Sequence, residues 1–185
     1  MKVLAILFLL CGTLYAADTT NSVSPAATKG GWHVDGKPLD DSEAHTSTNG
    51  FGAMLFLTED EKMFANWDGP GGPHFKPVSV ARRGVPVCTV LIFVGAGLKS
   101  DGKADVTFDV VVRKPDGSIY GKDKDMVGAQ DQIDPAPRAL QLARDYMGIR
   151  IEPKDPAGIY TVEVLVRDNV KKVELRLKQR FTVEK

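Results

Sequence analysis

The sequence predicts an all-β protein, a two-layer antiparallel sandwich, on three observations. Tyr160, Val162, Val164 and Val166 alternate with Thr161, Glu163, Leu165 and Arg167. The alternation returns through Val173, Leu175, Leu177, Phe181 and Val183, with a lapse at Gln179. Successive side chains of a strand point to opposite faces, so a period of two marks a sheet with one buried and one wet face. Short apolar runs are also punctuated throughout by Gly, Pro and Asp turns, without the helix-length spacing of βαβ units. A closed barrel is the alternative arrangement of the same strands.

The first sixteen residues read as a secretory signal peptide. Lys2 gives the positive start, Val3 to Leu10 is an unbroken apolar run, and Ala16 supplies the small residue at the cut. That run is far shorter than the roughly 20 residues that span a bilayer, so no membrane span is expected. Cys11 follows Phe8-Leu9-Leu10, which lacks the small residues a lipoprotein cleavage site needs. Cleavage after Ala16 and a periplasmic or secreted location are the expectation.

Removal of Lys2 leaves 23 basic against 24 acidic residues, a net charge near −1. No basic excess is present to hold nucleic acid. Cys88 is the single cysteine left, so no intrachain disulfide is expected. Residues 17–31, rich in Ser, Thr, Ala, Asn and Gly, read as a flexible tether. Residues 32–185 read as one domain, with 32–83 an N-terminal decoration, either extra strands or a partner-specific segment, and 84–183 the core.

Within that domain, Asp40 to Gly50 is polar, without periodicity, and reads as a loop. Phe51 to Leu57 is the first clear strand; Thr58-Glu59-Asp60-Glu61 turns it, and Lys62 to Trp67 is expected to return as its hairpin partner. Asp68 to Pro73 holds two prolines and three glycines and breaks any sheet. Phe75 to Ala81 reads as a strand, placed at an edge by Pro77. Val87 to Val94 is apolar almost throughout, the pattern of a central strand covered on both faces. Ala104 to Arg113 alternates again. Pro115-Asp116-Gly117 then makes a turn: proline presets φ, Asp bonds nearby backbone, and Gly takes φ > 0. Ser118 to Gly121 pairs back. Lys122 to Pro137 reads as a long polar loop. Residues 140–142 read as a short strand, with a helical turn over 138–147 as the alternative, and Met147 to Ile151 as a strand.

Four segments together resemble an immunoglobulin-like (macroglobulin-like) domain of bacterial exported proteins. They are Lys114-Pro115-Asp116-Gly117, Asp155-Pro156-Ala157-Gly158-Ile159-Tyr160, Val166-Arg167-Asp168 and the final Phe181-Thr182-Val183. The resemblance covers Gly84 to Val183. It implies that Tyr160 sits in a tyrosine corner, ring in the core and hydroxyl on nearby backbone. The inter-sheet disulfide of antibody domains is absent. What the resemblance implies about role is a binding or structural module, since such modules meet proteins, peptides, glycans or metals.

Trp67, His74 and Phe75 flank the Gly/Pro segment and form the expected partner-binding patch, for an envelope protein, peptide or glycan. Proline lowers the entropy lost on holding a loop, and aromatic rings supply contact area. Against this stands the ordinary use of strand-end aromatics as core. A small-ligand or metal carrier is the alternative role. His33, His45 and His74 share no spacing that gathers them on one strand or turn, and Met54, Met63, Met126 and Met147 are ordinary core residues elsewhere. Cys88 lies in an apolar run with no following His and reads as a small buried hydrophobe. Asp123, Asp125, Asp131 and Asp134 lack an EF-hand pattern, and lysines interleave them, which favours a solvated loop. No nucleophile elbow, His-Glu-x-x-His or phosphate loop occurs. No enzyme activity, metal or cofactor is expected.

Overall fold

A computed structural model of the chain describes residues 32–34, 37–67, 76–136 and 139–185. The expected signal peptide and tether lie outside the described residues, as do His74 and Phe75.

Two five-stranded sheets face each other. The first runs β3 (His45–Thr48), β4 (Phe51–Thr58), β6 (Pro86–Val94), then an edge made in two pieces by β9 (Gln141–Leu142) and β10 (Gly148–Arg150), both antiparallel to β6. The second runs β5 (Val80–Ala81), β12 (Val173–Val183), β11 (Gly158–Asp168), β7 (Val106–Arg113) and β8 (Ile119–Ala129). All neighbours are antiparallel except β5, which lies parallel to β12. β1 (His33–Val34) and β2 (Lys37–Pro38) form a separate hairpin. β6 lies between β4 and β9/β10, while β7, β11 and β12 lie side by side. This is the A-B-E and C-F-G grouping of an immunoglobulin-like sandwich.

The alternating strands behave as their pattern requires. On β11, Tyr160, Val162, Val164 and Val166 are buried, as are Val173, Leu175, Leu177, Phe181 and Val183 on β12. They meet Phe51, Ala53, Leu55 and Leu57 of β4 and Val87, Leu91 and Phe93 of β6 in the inter-sheet core. The β7–β8 turn is as expected: Gly117 has φ +82°, and Asp116 Oδ1 accepts the Ser118 N–H at 2.9 Å. Tyr160 is fully buried, stacks on Phe181 with centroids 5.3 Å apart, and donates its hydroxyl to Pro156 O at 3.0 Å. That is the tyrosine-corner geometry at the start of β11.

Several elements depart from expectation. Asp40 to Gly50 is not all loop: β3 pairs with β4 through the two-residue turn Asn49-Gly50, whose φ values are +50° and +71°. Two positive φ values are what a twist-matched hairpin turn demands. Lys62 to Trp67 does not run back as a strand. Lys62–Ala65 is a single-turn helix, α1, opened where Asp60 Oδ1 accepts the Lys62 N–H at 3.0 Å. The position beside β4 that it would have taken is already held by β3 and β6. Of the strand expected over 75–81, only β5 forms. Lys122 to Pro137 is not a long loop, because β8 continues through Ala129. Of the two alternatives for residues 32–83, extra strands or a partner-specific decoration, the described part supplies strands: β3, β4 and β5 belong to the sandwich itself.

The first sheet has a second buried face. Phe56 of β4 and Val90 and Ile92 of β6 pack outward against Trp32, Met63 and the half-buried Leu39, Phe64 and Trp67. This outer layer explains why β6 is apolar on both faces, as its sequence predicts. No helix among the described residues is long and apolar enough to cross a membrane.

Candidate functional site

Where the outer layer ends, at the β9 edge of the first sheet, it leaves a groove of about 820 Å³. One wall comes from α1 and the residues after it, Phe64 and Trp67; the other comes from 132–134, 139–144 and Tyr146. Phe64 is fixed by stacking on Tyr146, with centroids 4.0 Å apart and planes 13° from parallel. Trp67 is half-buried, packing on the outer cluster as it lines the groove. Leu140 and Tyr146 are 42% and 40% exposed, among the most exposed large hydrophobic residues of the described chain.

The polar rim consists of Gln132, Asp134, Gln141 and Arg144. Asp134 Oδ1 accepts the Ala136 N–H at 2.9 Å. The Arg144 guanidinium lies 3.7 Å from Asp131 and 3.8 Å from Asp145. The backbone here is committed: Ala143 N–H donates to Leu91 O at 2.9 Å, and Arg144 and Asp145 N–H donate to Gly128 and Val127 O at 3.0 Å. The last two bonds join the edge of the first sheet to β8 of the second and hold the groove's floor to both layers.

Of the three residues expected to form a contact patch, Trp67 is placed at the groove, and it serves both core and surface. His74 and Phe75 lie outside the described residues. Phe64, Leu140 and Tyr146 were not singled out by the sequence. The signal available was an aromatic just before Met147-Gly148 and a leucine two residues before Leu142, both inside a segment whose strand or helix character was itself open.

The other candidates are dispersed. Both His45 ring nitrogens are engaged, Nδ1 with Ser42 Oγ at 2.7 Å and Nε2 with Asp40 O at 2.7 Å. Met63 and Met126 are buried in the outer and inner clusters. Among the described residues no group of three His, Cys, Asp or Glu side chains is gathered to hold a metal ion. Asp123 and Asp125 belong to β8, not to a loop, and the Asp125 N–H donates to Asp109 Oδ1 at 3.0 Å. The Cys88 thiol is fully buried, 3.7 Å from Glu61 Oε1, and burial together with that carboxylate pushes it up to about 12. It is a protonated core group rather than a nucleophile.

No protein-family model matches the sequence, and no curated protein matches it. Among solved structures, the chain is similar over 72% of its length to a family 123 glycoside hydrolase from Clostridium perfringens, at 12% identity and a TM-score of 0.43. It spans only 27% of that enzyme. It is also similar over 70% of its length to 89% of a Niemann-Pick type C2 protein from the Japanese carpenter ant, at 10% identity and a TM-score of 0.38.

Proposed function

We propose that the chain is an exported, non-catalytic binding module of the cell envelope and that its contact site is the groove between α1 and the β9 edge. The observation that carries this reading is the pairing of rigidity with exposure. Phe64 and Tyr146 lock each other by stacking, Trp67 is anchored on the outer cluster, and Leu140 and Tyr146 still face solvent. Fixed aromatic surface loses little entropy when a partner covers it, so it is where binding energy concentrates. The groove's volume is also that of small-molecule sites, so a carrier of a small organic ligand would use the same surface.

The test separates contact from stability. Tyr146→Ala is expected to cost about 1–2 kcal/mol of unfolding free energy and to leave the protein folded, since the residue is 40% exposed and its loss removes one stacked pair at the surface. A photoreactive residue at Gln141 is expected to give adducts in intact cells that vanish in the Tyr146→Ala background. Adducts unchanged by that substitution, or matched by a photoreactive residue at the distant Lys154, would put the site elsewhere.

A further inference from the structure

From the groove's chemistry we infer that its ligand is a neutral oligosaccharide. This rests on the groove being the contact site and adds the ligand class.

Three features select that class. The first is charge. Arg144 already faces Asp131 and Asp145, so an anionic ligand meets no free cation, and Asp134 stands at the rim as an acceptor with one oxygen on the Ala136 N–H. The second is backbone. A peptide that adds as a strand needs free N–H and C=O groups on the edge. Here the edge strand β9 is only two residues long, and directly after it the N–H groups of Arg144 and Asp145 are already donated to Gly128 and Val127 of β8, which leaves little edge for a strand to add to. The third is the combination of surfaces. The exposed ring of Tyr146, stacked on Phe64, and the half-buried Trp67 offer flat apolar area. Gln132, Gln141 and Asp134 stand beside it. A sugar ring is two-sided in the same sense, with C–H groups for an aromatic face and hydroxyls at its rim. Amides both donate and accept, and a carboxylate accepts, so together they satisfy adjacent hydroxyls. A purely apolar ligand would leave these polar groups without partners and lose affinity.

The full chain is to be screened against an array of neutral and acidic oligosaccharides, and each hit titrated by calorimetry. A neutral oligosaccharide is expected to bind, with affinity reduced at least about tenfold by Tyr146→Ala and more modestly by Gln141→Ala. Because the ligand is uncharged, affinity is expected to hold when salt is raised from low to high. Binding only to acidic glycans, binding unaffected by Tyr146→Ala, or no glycan binding overturns the inference. If no glycan binds while Gln141 adducts still depend on Tyr146, the ligand class is wrong and the contact site stands. If both fail, the proposed function falls with it.

Discussion

Asp168 shows how much of this fold is decided by single side chains. It is 1% exposed, yet its carboxylate is not an orphan. Oδ2 accepts the Gly97 N–H at 2.7 Å, and Oδ1 accepts those of Val170 and Lys171 at 3.0 and 2.9 Å. It closes the β11–β12 turn on itself and ties that turn to the loop after β6. Asp168→Ala strands three N–H groups at one end of the sandwich and is expected to cost about 3 kcal/mol in urea unfolding. Asp168→Asn keeps one acceptor oxygen and is expected to fall between. A variant Asp168→Ala within about 0.5 kcal/mol of the parent would mean that water replaces the carboxylate. Tyr160, near the other end of β11, was legible through the resemblance, and its partner, Pro156, lies four residues upstream. Asp168 was named only within the segment Val166-Arg167-Asp168 of the resemblance, and its tying role was not legible because one of its partners is 71 residues away.

At the level of elements, local signals decided what could be read. β11, β12, β7 and β6 announce themselves through period and β-branched content. β3 did not, although Asn49-Gly50 immediately before Phe51 is a strong hairpin cue; the polar stretch before it hid the strand. α1 is four residues long, too short for a helical period to show. β8 was misread because Lys122, Asp123, Lys124 and Asp125 look like a solvated loop. They are exposed, and they lie on the sheet's outermost strand. Edge strands present unpaired backbone, and charges there discourage pairing with other chains. The edge is further interrupted at Asp125, whose φ of +53° marks the bulge between the Phe108–Met126 and Val110–Asp123 pairs. The double substitution Lys122→Val with Lys124→Val is therefore expected to leave stability within about 0.5 kcal/mol. It is expected to raise concentration-dependent association, read by light scattering. A double variant that stays as monodisperse as the parent would show that the bulge alone protects the edge.

For the whole molecule, carboxylate pairing sets the response to acid. Each of these groups sits below its ordinary value for a named reason: Glu43 beside Arg180, Glu59 beside Arg82, Asp105 beside Lys99 and Asn169, and Asp109 beside Arg167. Asp109 is the deepest of these. Arg167 Nη1 and Nη2 reach its two oxygens at 3.0 and 2.5 Å across β7 and β11, and its carboxyl is held down to about 2 against an ordinary 3.8. A carboxyl that is more acidic in the folded state contributes stability that is complete above its unfolded value and is lost as pH falls through the folded one. The window for Asp109 therefore runs from about 4 down to about 2. The pair is partly screened by solvent, so its share is about 1 kcal/mol. Asp109→Asn is expected to be less stable than the parent by roughly that amount at pH 6, with the gap closing as pH approaches 2. Thermal melts of both proteins across that range measure it. A gap of equal size at both ends would mean that the carboxylate acts through its shape and its bond to the Asp125 N–H, and not through its charge.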